Sequence, residues 1–141
     1  MKFLTWRWLT AGAAAVLLLL LMGCGKTRNL EFVEPDFSDP TWYDDFKADR
    51  SAAYDRYDGK VIQLSMQVTD LDESESGLEV TGTTGDEGHY RVSCIFSDAT
   101  KKTMPNVREG SLETVKGLFD HMQELSNSYK IYLKNCVIVE R

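Results

Sequence analysis

The chain has 141 residues, of which 43% are hydrophobic, 27% charged and 11% aromatic. That composition describes one globular domain and excludes a disordered polymer or a second large domain. The formal net charge is −6; residues 1–23 hold Lys2 and Arg7 and no acid, so with +2 there the remainder carries −8. An acidic domain repels phosphate backbones, which disfavours nucleic acid as a partner.

The first segment reads as an address. Lys2 and Arg7 make a short basic region, and Leu9 to Met22 is uncharged, with an unbroken apolar run from Val16 to Leu21. A membrane-spanning helix needs about 20 apolar residues, and this stretch is shorter. It suits the apolar region of a signal peptide. Leu21-Met22-Gly23-Cys24 closes the run. That tetrapeptide resembles the lipobox of bacterial lipoproteins. The resemblance implies cleavage between Gly23 and Cys24 and acylation of Cys24, with residues 1–23 as the discarded signal. Two or three acyl chains anchor a protein stably where one does so marginally. The plainer alternative is an uncut N-terminal anchor in which Cys24 is incidental. Lipidation implies an extracytoplasmic mature domain, where a disulfide is permitted. Cys94 and Cys136 are then either a bridged pair or two buried thiols.

Residues 24–40 read as a lipidated tether, polar at 25–29 and bracketed by Pro35 and Pro40. A flexible spacer there would lift the domain off the bilayer. Residues 41–141 form the folded domain. A helix is predicted over 41–57, with Thr41 as N-cap and Asp44 completing a capping box. Trp42, Phe46, Ala53 and Tyr57 share one face, which suits docking on the domain. Gly59 suits the helix stop.

From Lys60 the hydrophobic period becomes two. Ile62, Leu64, Met66 and Val68 alternate with polar residues; a turn is expected over 70–76, a short strand over 78–81 and a glycine-rich loop over 82–88. A third strand spans 89–97, with Tyr90, Val92, Cys94 and Phe96 inward. After a polar connection with a short helical piece, a fourth strand runs over 111–121 with a bulge at Gly117. A loop at 123–128 leads to the last strand, 129–140. The expected core is Ile62, Leu64, Met66, Val68, Leu78, Val80, Val92, Cys94, Phe96, Val115, Ile131, Leu133 and Val137. Five antiparallel-type strands must hide their edges, and a small Greek-key barrel does so. The fold class is mainly β: a five-stranded OB-fold Greek-key barrel preceded by an N-terminal helix.

Four segments carry a family likeness. Ala52-Ala53-Tyr54-Asp55-Arg56-Tyr57-Asp58-Gly59-Lys60-Val61-Ile62, Val92-Ser93-Cys94-Ile95-Phe96, Gly110 with Thr114-Val115-Lys116-Gly117, and Leu133-Lys134-Asn135-Cys136-Val137-Ile138 stand in order over about residues 47–141. Together they resemble the bacterial tRNA_anti-like OB-fold family. Leu118 to Met122, just before the turn to the last strand, departs from the family pattern. The resemblance implies a fold, not tRNA binding.

Motifs for catalysis are absent from the sequence: there is no nucleophile elbow, Walker loop or His-Glu-x-x-His. His89 and His121 have no partner at metal-ligand spacing, and Asp70, Asp72, Glu73 and Glu75 lack the spacing of a calcium loop. The expectation is therefore no enzyme, no metal and no cofactor. On an OB barrel the binding face lies on strands two and three. Here that face offers Glu79, Arg91 and Ser93, near Asp86 and Glu87, which is poor ground for phosphate. The function expected is a membrane-anchored, non-catalytic binding module for a protein, peptide or glycan of the cell envelope. The alternatives are an accessory subunit of an envelope complex, which would dock through the helix and barrel, and an oligonucleotide binder.

Overall fold

The computed structural model describes residues 29–85, 90–102 and 104–139. Cys24, Asp86, Glu87 and His89 lie outside them. The expected alternation builds five long strands: β2 (Val61–Ser74), β3 (Gly77–Thr84), β4 (Tyr90–Phe96), β5 (Leu112–Leu125) and β6 (Ser128–Ile138). The sheet runs β2-β3-β4-β6-β5 and closes through β2–β5 pairing. All pairs in this ring are antiparallel except β4–β6. Closure depends on the length of β2. Its first half, Val61 to Gln67, pairs with β5, and Gln67 to Ser74 pairs with β3, with a register shift between Val68 and Asp70 that bends the strand.

All thirteen expected core residues are buried. Alternation on a two-residue period is the physical reason, since every second side chain of a closed sheet points inward. The end of the barrel is plugged by two helices, α1 (Trp42–Ala48) and α2 (Arg50–Tyr57). Trp42, Phe46, Ala53 and Tyr57 are all buried there, with the rings of Phe46, Tyr54 and Tyr57 packed on Phe119. The Tyr54 hydroxyl donates to the Met122 carbonyl at 3.0 Å and accepts from the Met122 N–H at 3.1 Å, which pins α2 to β5. The Tyr57 hydroxyl donates to Asp45. Burial first, and then that hydrogen bond, push the Tyr57 phenol above its ordinary value.

Several expectations are corrected. The single helix over 41–57 is two, because Asp49 is extended (φ −153°) and its carboxylate caps α2 by accepting from the Ala52 N–H. Thr41 makes no side-chain cap; its carbonyl accepts from the Asp44 N–H instead. The acidic stretch does not turn at Asp70. β2 continues to Ser74, because exposed acids are tolerated on the solvent side of a hairpin arm, and the turn is Glu75-Ser76. Gly82 to Thr84 belong to β3 rather than to a loop. β5 runs on to Leu125, so a tight Ser126-Asn127 turn replaces the loop over 123–128. The β5–β6 register does shift at Gly117, but the extra residue stands on β6: between the Lys116–Val137 and Leu118–Lys134 pairs Gly117 faces both Asn135 and Cys136, with Asn135 at φ 53°. A Cβ there would stand 2.6 Å from the Cys136 Sγ and 2.9 Å from the Leu133 Cβ, so only glycine fits.

The largest correction concerns the tether. Residues 29–40, read as spacer, are part of the folded body. Leu30–Phe32 forms a 3-10 turn and Phe37–Ser38 forms β1, a sixth strand parallel to β2 at Ile62 and Gln63. Leu30 is wholly buried with Val61 and Val137, and Val33 and Leu118 pack around them. Backbone N–H groups of Asp36 and Asp39 donate to the Val61 and Gln63 carbonyls, and the two carboxylates accept from the Val61 and Ser65 N–H groups. The buried Lys116 ammonium donates to the carbonyls of Glu31 (3.0 Å) and Val33 (2.8 Å). No linear period announces such a segment, because its partners lie far along the chain. Among the described residues, no helix is long and apolar enough to cross a membrane.

Candidate functional site

The strand register assembles one outward face across β3, β4, β6 and β5. Thr83 pairs with Arg91, Arg91 with Lys130, and Lys130 with Gln123. The next outward row is Thr81, Ser93, Tyr132 and His121. Core residues Val92, Ile131 and Met122 alternate with these rows, which is why both rows point away from the barrel interior.

Of the three expected binding residues, Glu79 is partly exposed and Arg91 is exposed. Ser93 is not presented to solvent: it is 0% exposed and donates its hydroxyl hydrogen to Glu79. Neighbouring outward side chains cover it, so an outward register position does not make it accessible. Lys130 reaches the same Glu79 carboxylate at 3.5 Å, and its ammonium lies 4.7 Å from the centre of the Tyr132 ring. His121 stacks on Tyr132 with centroids 4.2 Å apart and planes 10° from parallel. The Tyr132 hydroxyl donates to Gln123 at 2.9 Å.

His121 Nδ1 lies 2.7 Å from Asp120, and the Lys134 ammonium lies 2.9 Å from the other oxygen of that carboxylate. The hydrogen bond from Lys134, then that from His121, hold the Asp120 carboxyl below its usual range. An ionised carboxylate only accepts, so His121 donates from Nδ1. The face thus carries Arg91, Lys130, Lys134 and His121 beside Glu79 and Asp120. It is a mixed-charge surface with ring faces, not a one-sign groove.

His121, read from sequence as an isolated strand end, stands in mid-β5. Lys130, Tyr132 and Lys134 were not singled out at all. Their signal is the Lys-x-Tyr-x-Lys alternation within β6, which gains meaning only once β6 pairs parallel with β4. Cys94 and Cys136, 42 positions apart, are both free, buried thiols. Burial first, and then the neighbouring Cys136 side chain, push the Cys94 thiol well above its ordinary range. Among the described residues, no group of three or more His, Cys, Asp and Glu side chains gathers to hold a metal. A separate shallow groove of about 660 Å³ lies beside Arg108, Ser111, Glu113 and Ile138.

A family profile, tRNA_anti-like, matches residues 36–137. The chain belongs to the tRNA_anti-like family. This is an OB-fold family, and the five-stranded ring with its single parallel pair is the corresponding barrel, enlarged here by β1. Among solved structures, the chain is similar to the crystal structure of a "putative nucleic acid-binding lipoprotein" from Klebsiella pneumoniae. The two share 18% identity and a TM-score of 0.52, over 73% of this chain and 91% of that one. At that identity the likeness speaks for the fold. No curated protein matches the chain.

Proposed function

We propose that this tRNA_anti-like chain is an extracytoplasmic lipoprotein, held to a bacterial membrane through acylated Cys24, whose barrel binds an envelope ligand without catalysis. The observation that carries the reading is the His121–Tyr132 stack set between the Lys130–Glu79 and Lys134–Asp120 pairs. Ring faces and alternating charges suit a ligand with sugar rings, amines and carboxylates, as in the peptide-bearing glycan of the cell wall. The lipobox-like Leu21-Met22-Gly23-Cys24 and the Klebsiella neighbour's description as a lipoprotein support the anchor. An accessory subunit docking through the 41–57 segment finds less support, because the apolar side of that segment is spent on the barrel.

The test is co-sedimentation of the protein with purified cell-wall glycan. Wild type should pellet with the glycan, and His121→Ala and Tyr132→Ala should each weaken retention at least tenfold. Equal retention of all three proteins would remove the face from consideration.

A second reading, binding of single-stranded nucleic acid, is favoured by the Klebsiella neighbour's description and by Arg91, Lys130 and Lys134 on one face. Such binding would fall steeply with salt. A gel shift with labelled single strands at low salt, lost on raising salt and in Lys130→Ala, would support this reading over the first.

A further inference from the structure

We infer that the barrel is held down on the bilayer, with the Phe32 end facing the lipid, rather than carried on a long tether. The inference rests on the acylation of Cys24 and goes beyond it by fixing how far the domain can stand from the membrane, and which way round.

The argument begins with chain length. Only five peptide links separate Cys24 from Asn29, where the folded body begins. Fully extended, five links span at most about 18 Å. The acylated sulfur sits at the boundary of the hydrocarbon, and the headgroup layer above it takes roughly 6 Å of that reach. The remaining reach, about 12 Å, keeps the body within that distance of the headgroups and so within reach of direct contact with them.

The attachment point is also rigid. Leu30 is wholly buried, Lys116 holds the Glu31 and Val33 carbonyls, and Asp36 and Asp39 tie the following residues to β2. The chain therefore leaves the barrel from one fixed place, beside Val61, Leu118 and Val137. At that place Phe32 is 85% exposed, the most exposed large hydrophobic side chain among the described residues. An aromatic ring at the level of lipid headgroups is a favourable contact. Lys26 and Arg28 in the leash balance Glu31 and Glu34 beside it, so charge neither drives nor forbids the approach.

Orientation follows from β6. Tyr132 lies five residues before Val137, at most roughly 17 Å along a strand that bulges at Asn135. The His121–Tyr132 face is thereby held to the side of the barrel just above the lipid, within reach of ligands near the membrane.

The test uses the full lipidated chain in vesicles of phosphatidylethanolamine and phosphatidylglycerol. A Phe32→Cys variant is labelled with a nitrobenzoxadiazole probe, since Cys94 and Cys136 are buried and Cys24 is acylated. A Ser76→Cys variant, in the β2–β3 turn, serves as the comparison. The probe at position 32 should shift to shorter wavelength and be quenched at least threefold more by shallow spin-labelled lipids than the probe at position 76. Inserting about 20 Gly/Ser residues between Arg28 and Asn29 should abolish that difference. Equal, water-like signals at both positions in vesicle-bound protein would overturn the docking while leaving the anchor intact. Intact mass lacking acyl chains would instead overturn the anchor reading, and the docking with it.

Discussion

The Lys116 ammonium stands 2.8 Å from the carbonyl oxygen of Val33, 83 positions earlier in the chain, and it is 7% exposed. Among the described residues no carboxylate pairs with Lys116; a buried ammonium is expensive unless its protons are used, and backbone carbonyls of the leading segment use two of them. Lys116→Met removes charge-assisted hydrogen bonds and strands both carbonyls. The expected loss is about 2 kcal/mol in urea denaturation. Residues 29–40 should become sensitive to protease in this variant while β2–β6 remain folded. Unchanged stability and an unchanged cleavage pattern would show that Leu30 alone holds the segment.

His121 and Tyr132 form a partly exposed stack on neighbouring strands. Cross-strand aromatic pairs of this kind couple by about 0.5–1 kcal/mol. A double-mutant cycle with His121→Ala and Tyr132→Ala should return that coupling. The barrel should stay folded in both variants, since neither side chain belongs to the core. A coupling of zero would mean that the stack does not persist in solution.

Asp120 has a lowered pKa in the folded state, caused first by Lys134 and then by His121. A depressed carboxyl stabilises the fold above its unfolded value of about 3.9, and that contribution is lost as pH falls through the lower folded value. An NMR titration should therefore find Asp120 ionising below the usual range. Lys134→Met should bring the midpoint back toward that range. A wild-type midpoint at the ordinary value would rule out the Lys134–Asp120–His121 arrangement in solution.

At Gly117 the constraint is space. A methyl group there meets the Cys136 sulfur at 2.6 Å and the Leu133 Cβ at 2.9 Å. Gly117→Ala should cost about 1–3 kcal/mol by overpacking. In a Cys136→Ala background the cost should shrink but not vanish, because the Leu133 contact remains. Equal costs in the two backgrounds would place the strain elsewhere.

The buried Cys94 thiol is shifted upward by burial and by Cys136. A raised pKa stabilises the folded state below the unfolded thiol value of about 8.5, and that contribution is lost as pH rises toward the higher folded value. Stability should therefore decline above about pH 8.5, and Cys94→Ala should decline less steeply. With reduced protein, a thiol reagent should modify Cys94 and Cys136 only at the rate of global unfolding. Rapid modification of the native state would contradict their burial.

The barrel was legible because its strands obey a two-residue period. Every core position from Ile62 to Val137 that alternation selected is buried, and the four family-like segments carry parts of β2, β4, β5 and β6, leaving β3 to alternation alone. The plug helices were legible in part. Their apolar face is local information, whereas the break at Asp49 depends on how two short helices fit over a curved barrel end. The candidate face was legible only at Glu79 and Arg91, because its other half comes from β5 and β6. Ser93 shows the limit of alternation: it gives the side of the sheet, but not whether neighbours cover that side.

The sequence by itself determined the charge asymmetry, the lipobox-like junction at Cys24, the strand periods and the core, because each is a property of adjacent residues. Tertiary structure decided what rests on closure. It brought Cys94 to Cys136 and Lys130 to Arg91, stacked His121 on Tyr132, and strapped residues 29–40 beneath Lys116. Those contacts join residues tens of positions apart, and their partners are fixed only when β6 inserts beside β4 and the ring shuts. The tether is where the two sources of information differ most. Its polar, proline-bracketed composition describes a spacer, while the hydrogen bonds of Lys116, Asp36 and Asp39 make it part of the wall.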